Sequence, residues 1–481
     1  MTIFIPIFSG NEGRHILRSD IFTVLTGRSD LQIIFFVRSE ERRQYYEREF
    51  SHPRVRFEVV PRYRLSRTDA FFSFLKYYLL RTHTIDLKRR ARYEREGNAA
   101  RFAISFIANR IFGHLWIRRI IRFFDARVVR APAVTDFFDQ YHPDLVFCAD
   151  LFDDTEAAYV REAQRRGIRV AGMILTWDRA TSRWCMRVLP DDLIVHNQFA
   201  REEAARYQDM PAERVYIVGT IQHDELIGAP PAPLEASAKG AAVPTPRRDL
   251  PLTGPATREA FCASIGIPPE HKIIVYGPIG RSFDSSKELD QTVIDLLDQW
   301  IDQGALGSRD ITIIVRFPPN DFLQEGDMKP RRHIRYQVPG HRFSGTRGQD
   351  WDMGFEDLAL LRDTLFHASL IVTYYSSLSI DGAVLDKPII NINFNVEHGR
   401  IVERRHPYYA TTHYQKAAAT GGIRLVQSAK ELQEGTMRYL ADPSRDREAR
   451  ARLVATQCGK VDGQSGSRAG EFLLSLLETN R

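Results

Sequence analysis

Two adjacent hydroxyl side chains stand at the start of a short helical pattern in residues 372–392, VTYYSSLSIDGAVLDKPIINI. Ser376 and Ser377 directly follow an apolar run, and Asp381 comes about one helical turn later. The first amides of a helix lack intrahelical partners and the helix dipole is positive there, so phosphate oxygens bind well at such a position. Asp381 could reach ribose hydroxyls or bond the serines. The competing interpretation is that Ser377 only caps the helix.

Two more apolar runs of the C-terminal half end in residues suited to an anion. In IIVYGPIGRS the run is followed by Gly277, Gly280 and Arg281, where small residues let the backbone approach a phosphate. No GK[ST] sequence follows, so this is not a P-loop. In IIVRFPPND the run ends at Arg316, whose guanidinium can bind two oxygens at once. The alternative for Arg316 is a surface ion pair.

A candidate proton acceptor follows the opening apolar run. The segment FSGNEGRHILRSD contains Gly10, Gly13 and His15 ahead of a helical pattern. Histidine has an ordinary pKa of about 6.5, so His15 could accept a hydroxyl proton, although it could equally cap or pack at the helix start. Three carboxylates compete for the role, one in the same loop and two farther along the chain: Glu12, Asp178 and Asp153.

Metal chemistry finds little support in the sequence. The DWD triplet at 350–352 lies in a glycine-rich segment before a helical pattern, so we interpret it as a loop. The four cysteines are far apart and form no CxxC pair, which indicates reduced thiols and neither a zinc site nor a disulfide framework. We therefore expect no metal site and no required cofactor.

The elements that must position these residues alternate between short apolar runs and longer helical patterns. Seven runs precede residue 227 and five follow residue 270. Continuous apolar strands separated by helices predict parallel sheets that are covered on both faces. A chain of 481 residues is long enough for two domains of roughly 200 residues each. The fold class is therefore α/β.

The domain boundaries follow from composition. Residues 1–227 form the predicted N-terminal domain, and residues 258–460 form the C-terminal domain. Between them, 228–257 are dense in Pro, Ala and Gly without periodic apolar residues, which predicts a linker or an exposed insertion. Residues 461–481 predict a closing helix.

Residues 81–130 depart from the alternation of strands and helices. They carry 13 Lys or Arg against 4 Asp or Glu, interleaved with Phe, Trp and Ile. Basic amphipathic helices of this kind bind anionic membranes. The alternative is a pair of surface helices whose apolar face packs on the first domain while the arginines are solvated.

The overall composition is that of a soluble globular protein with an anionic partner. The formal net charge is +6, and the chain is 43% apolar and 27% charged. The opening residues lack a basic segment followed by a long apolar one, so we expect no signal peptide, and no stretch holds about 18 apolar residues without charge. We expect a cytoplasmic protein. The anionic inner face of the cell membrane is a candidate partner.

The segment FEDLALLRDTLFHASLIVTYYSSLSIDGAVLDKPIINI resembles the donor-binding segment of GT-B glycosyltransferases, especially bacterial cell-envelope transferases related to CDP-glycerol glycerophosphotransferases. LTWDRATSR resembles their SWDNLTSKG loop: Asp178 and Thr181 match, whereas Arg179 and Arg183 differ. YYATTHYQ places His413 where similar enzymes carry a histidine. DGQSGSRAGEFLL resembles their closing helix, and the GxxGxH spacing of the opening loop resembles the acceptor-side glycine loop of GT-B enzymes.

The resemblance implies a GT-B fold, with two Rossmann-like doubly wound domains facing a cleft. It implies a glycosyltransferase for cell-surface polysaccharide or glycolipid synthesis, with an acceptor-side first domain and a donor-side second domain. The donor would be linked to UDP, GDP, CDP or CMP, and the acceptor would be a hydroxyl of a lipid-linked molecule or a glycan. A glycerophosphotransferase and a nucleotide-sugar 2-epimerase are alternatives, although the TRPE-like loop of such epimerases is absent. A non-enzymatic membrane- or nucleic-acid-binding protein is a further alternative, but a nucleic-acid partner is not expected.

Overall fold

The computed structural model describes residues 1–60, 63–228, 254–280, 286–321, 323, 326–344 and 350–479. Of the predicted linker at 228–257, residues 229–253 lie outside this part of the chain. The described residues form two parallel sheets flanked by helices, which confirms the α/β class.

The first sheet has seven strands in the order β3-β2-β1-β4-β5-β6-β7, all parallel. This order is that of a doubly wound sheet, in which the direction of winding reverses between β1 and β4. The strands β1 to β7 are Thr2–Pro6, Gln32–Val37, Val55–Val59, Leu145–Cys148, Arg169–Met173, Asp192–Val195 and Val215–Ile217.

The second sheet has six parallel strands in the order β10-β9-β8-β13-β14-β17. Its strands are Lys272–Tyr276 (β8), Ile311–Arg316 (β9), Ile334–Gln337 (β10), Leu370–Thr373 (β13), Ile389–Ile392 (β14) and Arg424–Val426 (β17). Two antiparallel hairpins accompany it: His341–Arg342 (β11) with Trp351–Asp352 (β12), and Asn395–Glu397 (β15) with Arg400–Val402 (β16).

Helices cover both sheets. In the first half, α1 to α12 are Gly10–Glu12, Asp20–Gly27, Glu40–Glu49, Arg67–Leu79, His83–Glu96, Ala99–Phe112, Leu115–Val128, Pro132–Tyr141, Asp154–Arg165, Arg179–Ser182, Gln198–Gln208 and Asp224–Ile227. In the second half, α13 to α20 are Arg258–Ser264, Ser286–Asp302, Phe355–Phe366, Leu378–Val384, Thr412–Ala418, Ala429–Ala441, Arg447–Gln457 and Ser465–Thr479. A π-helical turn, Gly13–Leu17, lies between α1 and α2, and 3-10 turns span Ala212–Arg214, Ile221–His223 and Pro407–Ala410.

Many helices begin where a short polar side chain accepts an amide hydrogen of the first turn. Such caps satisfy backbone donors that have no partner within the helix. The capping residues include Ser19, Ser39, Ser66, Thr82, Asn98, Asp153, Asn197, Thr257 and Ser428. These starts are therefore set by local sequence.

Both faces of each sheet are buried, as the unbroken apolar runs predict. In the first sheet, Ile3 and Ile33 face one hydrophobic cluster while Phe4 and Ile34 face the other. Successive side chains of a strand point to opposite faces, so a strand covered on both sides must be apolar throughout.

The closing helix α20 packs on α2 of the first half. Ala469 and Leu473 of α20 join the same cluster as Ile21 and Leu25 of α2. A Cβ added at Gly470 would lie only 2.8 Å from Val24 Cβ, so the glycine permits the close approach of the two helices. The end of the chain thus returns to the first sheet, so the chain passes twice between the half that contains the first sheet and the half that contains the second.

A buried ion pair joins the halves beside the opening loop. The Arg18 guanidinium lies 2.7 Å from the Asp352 carboxylate, and neither side chain is exposed. Arg42 lies 3.0 Å from Asp350 in the same hairpin. The DWD triplet therefore contributes its carboxylates to contacts with the first half.

The helices α4 to α7 are inserted between β3 and β4. Three of them, α5, α6 and α7, lie within the predicted basic region 81–130, and α4 precedes it. Among the described residues, no helix combines the length and the apolar character needed to span a bilayer.

Candidate functional site

A cavity of about 280 Å³ lies where the carboxyl ends of the two sets of strands face each other. From the first half, its wall contains residues that follow β5, β6 and β7, including Trp177, His196 and Gln222. From the second half, it contains residues that end or follow β8, β9 and β13. Open α/β sheets bind ligands at this edge, so we refer to this space as the central cavity.

The serine pair lines the central cavity. Ser377 occupies the N-cap position of α16 but makes no side-chain capping bond, and it is exposed. The capping role is taken by Ser376, whose Oγ accepts the Leu378 amide at 3.2 Å. The helix has seven residues, and the preceding strand ends at Thr373. The Ser377 hydroxyl is therefore available to a ligand.

Gly277 allows two candidate phosphate-binding segments, the turn after β8 and the turn after β13, to lie side by side. A Cβ there would lie 2.6 Å from Leu378 Cδ2 and 2.8 Å from Thr373 Oγ1. Thr373 Oγ1 donates to the Gly277 carbonyl at 2.9 Å, which fixes the turn after β8 against the turn after β13. Gly280 has a φ of +76° and closes the same turn. Arg281 lies outside the described residues.

Two guanidinium groups from different halves line the central cavity. Arg316 Nη1 donates to Gln337 Oε1 at 2.8 Å and Nη2 donates to the Asp357 carbonyl at 3.3 Å. Burial lowers the pKa of Arg316 to about 10; the Asp357 carboxylate acts in the opposite direction, and the nearby Arg14 adds to the lowering. Arg316 makes no ion pair with the part of the chain that the structure describes, so the surface-ion-pair alternative finds no support here.

Arg14 comes from the opening loop and meets the cavity beside His223. Its Nε lies 3.9 Å from the Glu225 carboxylate, and its Nη2 lies 3.5 Å from the Gln222 carbonyl. Burial raises the pKa of Glu225 to about 7, with Arg14 acting in the opposite direction. Arg14 is therefore the second cation that an anionic ligand would meet.

The Asp381 carboxylate bonds the first half, and the bond of Asp381 to the serines is the backbone bond from its amide to the Ser377 carbonyl. Its Oδ1 lies 3.0 Å from His223 Nε2 and accepts from Gln222 Nε2 at 3.1 Å. Burial alone would lower the pKa of His223, but Cys458 and Asp381 raise it to about 10. An imidazolium bonded to a carboxylate thus bridges the two halves at the wall of the cavity.

The predicted proton acceptors of the opening loop lie behind this wall. His15 is buried, its Nδ1 lies 2.7 Å from the Asn11 carbonyl, and burial together with Arg14 lowers its pKa to about 3. Glu12 accepts the Ser9 amide at 2.8 Å and the Phe8 amide, which makes it a cap of its own turn. Burial and Asp150 raise the pKa of Glu12 to about 7. Neither side chain lines the central cavity, although Asn11 does.

Asp178 and His413 lie together beside the central cavity. Asp178 accepts from Thr176 Oγ1 at 2.7 Å and from Ser182 Oγ at 2.8 Å. Burial would raise the pKa of Asp178, but His413 and these hydroxyls hold it below its usual range. The His413 ring contacts Trp177 edge-on at 5.0 Å between centroids. Trp177 lines the central cavity, whereas Asp178 and His413 are not part of its wall.

Gly10 and Gly13 serve the contact between the halves. A Cβ on Gly10 would lie 2.5 Å from the Trp351 carbonyl, and one on Gly13 would lie 2.9 Å from Asp352 Oδ1. The Trp351 carbonyl is a backbone atom and cannot yield at that distance, so Gly10 must lack a side chain for the opening loop to meet the β11–β12 hairpin, whereas the atoms nearest a Cβ on Gly13 belong to the side chains of Tyr46 and Asp352. The described residues contain no group of His, Cys, Asp and Glu that could hold a metal ion.

Sequence reasoning missed several side chains of the cavity: Asn11, Arg14, His196, Gln222 and His223. Arg14 stands inside the loop selected for His15, and His223 stands in the VYIVGTIQHDEL segment. The one signal in the sequence was their position after a predicted strand, because each of these residues follows a strand of the first sheet. Nothing local distinguished these polar residues from others in the same loops.

The whole chain is similar to solved structures of GT-B proteins. A UDP-GlcNAc 2-epimerase from Neisseria meningitidis bound to UDP-GlcNAc matches with a TM-score of 0.53 and 10% identity, over 99% of this chain and 100% of that one. The UDP-GlcNAc 2-epimerase from Methanocaldococcus jannaschii matches with 0.51 and 13% identity, over 98% and 99%. The wall teichoic acid polymerase TagF matches with 0.50 and 11% identity, over 100% and 89%. No family model and no curated protein matches the sequence.

These similarities, together with the two facing parallel sheets, show that the chain has the GT-B fold. The predicted fold is confirmed. At identities this low, structural similarity establishes the architecture only. The reaction has to be argued from the residues of the cavity.

Proposed function

We propose that this protein is a GT-B enzyme that binds a nucleotide-activated sugar in the central cavity and transfers the sugar to an acceptor hydroxyl. One observation carries the proposal: Arg14, Arg316 and the Ser376–Ser377 pair line the same cavity from both halves. Arg14 lies near enough to Arg316 to lower its pKa, and burial lowers that pKa more than the nearby Asp357 carboxylate raises it, so an anion would stabilise this pair of cations.

The diphosphate of the donor fits this set of groups. Guanidinium groups bind phosphate oxygens in pairs, and the exposed Ser377 hydroxyl adds a donor. In the reaction, the acceptor oxygen forms a bond to the sugar carbon while the bond from that carbon to the diphosphate breaks. The leaving diphosphate gains charge in the transition state, so cations aimed at it lower the barrier.

The proton of the acceptor hydroxyl needs a base from the first half. His15 stays our prediction, but it does not line the central cavity, and this favours a second candidate, His196. His196 lines the cavity, and burial together with His223 lowers its pKa to about 4, so it is neutral at pH 7. Turnover of His15→Ala and His196→Ala, measured at saturating donor, separates the two. The variant that retains wild-type turnover identifies the residue that is not the base.

We further propose that residues 1–227 hold the acceptor, that residues 258–460 hold the donor, and that 461–481 close the structure. The acceptor would be a lipid-linked molecule or a glycan of the cell surface, which would place the enzyme on the cytoplasmic side of a membrane. No further cofactor enters this mechanism, because the diphosphate charge is met by protein groups.

Two other reactions of the same fold compete with glycosyl transfer. The similarity to structures of UDP-GlcNAc 2-epimerases, one of them solved with UDP-GlcNAc, favours epimerisation as the second candidate. The similarity to TagF and the resemblance of the donor segment favour transfer of an alditol phosphate.

A two-stage experiment tests the proposal. Thermal unfolding is measured with UDP, GDP, CDP and CMP, and we expect one of them to raise the unfolding temperature. Sugars of the selected nucleotide are then followed by NMR without acceptor and with extracts of lipid-linked acceptors. Release of nucleotide only with acceptor supports transfer, and a change of sugar configuration without acceptor supports the epimerase. Stabilisation by no nucleotide would refute all three reactions.

A further inference from the structure

The inserted helices α4, α6 and α7 expose large apolar side chains and bury polar ones, which is the reverse of an ordinary surface helix. Thirteen of the twenty exposed large apolar side chains in the described residues lie on these three helices. Examples are Phe74, Ile104 and Trp116, with 58%, 68% and 63% of their surface exposed. We refer to these thirteen exposed side chains as the apolar face. Water-soluble domains seldom expose such a concentration of large apolar groups.

The opposite sides of the same helices bury charge. In α7, Arg118 donates to Asp209 at 2.9 Å and Arg122 donates to the Met186 carbonyl at 2.9 Å, while Trp116 and Phe124 are exposed. In α4, Lys76 is buried 2.8 Å from Asp154. Buried ion pairs add little stability in water compared with apolar packing. Water alone would therefore favour the reverse orientation of these helices.

The same pattern holds for α6. Asn109 is fully buried and its Nδ2 donates to the Tyr78 and Leu80 carbonyls, each at 2.8 Å, whereas Ile104 and Ile107 are exposed. The helix α4 packs against both α6 and α7, so the three exposed surfaces belong to one helical layer. The alternative for residues 81–130, in which the apolar side packs on the first domain, is therefore wrong for the exposed apolar residues of α6 and α7.

The charge around the apolar face selects its partner. In residues 81–130, nine Lys or Arg side chains are exposed against two exposed carboxylates. A second copy of the chain docked through the same surface would bring these cations against each other. An anionic bilayer satisfies both features, because exposed apolar side chains enter the interface while cations meet lipid phosphates.

A second cavity, of about 490 Å³, opens at the edge of the apolar face. Its wall contains Tyr77 of the apolar face and four cationic side chains: Lys88, Arg89, Arg92 and Arg183. Asp178 is the one carboxylate of that wall, among the residues that the structure describes. We refer to this space as the basic cavity.

The basic cavity adjoins the central cavity through one short loop. Thr176 and Trp177 line the central cavity, and the next residue, Asp178, lines the basic cavity. A lipid phosphate held among the cations would thus lie beside the proposed site of transfer. The remainder of that lipid would extend along Tyr77 toward the apolar face.

We propose that the apolar face rests in the surface of an anionic phospholipid bilayer and that the basic cavity receives the phosphate group of a lipid from it. That this lipid is the acceptor rests on the proposed function, whereas the binding itself does not. Free phosphate could meet the same cations, so the test includes inorganic pyrophosphate as a soluble probe.

The test measures sedimentation of the full chain with vesicles of phosphatidylcholine, alone or mixed with phosphatidic acid. We expect binding to the mixed vesicles and a strong loss between about 0.1 M and 1 M salt, where the Debye length falls from about 10 Å to about 3 Å. The variant I104S/W116S/F124S should bind about tenfold more weakly. The matched control V338S/F366S/M437S changes exposed apolar residues of the second half and should bind as the wild type does.

The basic cavity is tested with R92Q/R183Q, whose two side chains are exposed. Each cation near an anionic surface contributes about fivefold, so this variant should lose about 25-fold in affinity for the mixed vesicles. The control R332Q/R438Q removes two exposed cations from the second half and should change nothing. Both variants should retain the wild-type unfolding temperature, which excludes misfolding as the cause.

Three results would overturn the proposal. Wild-type affinity for vesicles in the apolar variant would show that the apolar face does not meet the bilayer. Equal losses of vesicle affinity in the R92Q/R183Q variant and its control would show that general surface charge, and not the basic cavity, attracts the bilayer. Binding of pyrophosphate without any vesicle binding would assign the cavity to a soluble anion. None of these assays contains a nucleotide. Failure of the membrane-binding proposal would therefore leave the proposed transferase reaction untouched, and failure of the transferase reaction would leave membrane binding untouched.

Discussion

Replacing Arg316 by methionine should separate ligand binding from stability. The side chain is buried, lines the central cavity and has no ion-pair partner in the described part of the chain. If it binds the donor diphosphate, Arg316→Met should weaken nucleotide binding. Its removal should cost the fold little, because burial penalises the charged side chain more than the nearby Asp357 carboxylate stabilises it.

The magnitudes follow from the contacts. The fall of the Arg316 pKa from 12.5 to about 10 corresponds to a penalty of about 3 kcal/mol on the charged form in the folded state. The bonds from Arg316 to Gln337 and to the Asp357 carbonyl return about 1–2 kcal/mol each. These quantities nearly cancel, so the unfolding temperature should stay within about 4 °C of the wild type. A charge-assisted bond to phosphate contributes about 1.5–3 kcal/mol, so nucleotide affinity should fall about 10- to 150-fold.

Calorimetric titration with the stabilising nucleotide measures the first effect, and thermal unfolding without ligand measures the second. Arg450→Met is the matched control, because Arg450 is equally buried but bonds Asp386 at 2.8 Å on a helix of the second half. That control should lose about 2–3 kcal/mol of stability and keep its nucleotide affinity. A large loss of stability with unchanged affinity in Arg316→Met would show that Arg316 is structural and would refute the reasoning.

Three further substitutions test other contacts. Ser377→Ala should lower nucleotide affinity about 3- to 10-fold with no change in unfolding, and equal titration curves would contradict the role of its hydroxyl. Asp381→Asn removes a group that raises the His223 pKa to about 10, so it should lower stability in urea most below pH 6.5, with the deficit shrinking as the pH rises toward 10. A deficit that grows with pH would reverse this sign. Asp352→Asn leaves the buried Arg18 short of a partner and should cost about 3 kcal/mol in urea unfolding, whereas a loss below 1 kcal/mol would show that Glu49 suffices.

The strands were predictable because their physics is local. Each of the twelve apolar runs became a strand of one of the two large sheets, since a parallel strand buried on both faces must be apolar along its length. The strand that was missed, β10 (Ile334–Gln337), lies at an edge of the second sheet, where Arg335 and Tyr336 are only half buried. Its mixed sequence carries no continuous apolar signal.

Part of the cavity was predictable for a topological reason. Gly277, Arg316 and Ser376 each follow or end a parallel strand, and the carboxyl ends of parallel strands meet at one edge of a sheet. The roles of Glu12 and His15 were not predictable in this way. Glu12 stands three residues after Ser9, which is the spacing of a capping box, and in the structure it accepts the Ser9 amide, whereas the burial of His15 depends on tertiary packing.

By itself, the sequence determined the element types, the two parallel sheets and the residues at the ends of their strands, because these follow from apolar periodicity and chain direction. The tertiary structure decided which of those residues meet. His223 bonds Asp381, 158 positions along the chain, and Arg14 lies near enough to Arg316 to lower its pKa. It also decided which side of α7 faces water, since Asp209, far along the chain, draws the arginines inward. Periodicity defines two faces of a helix, and only the partners of those faces determine which one is buried.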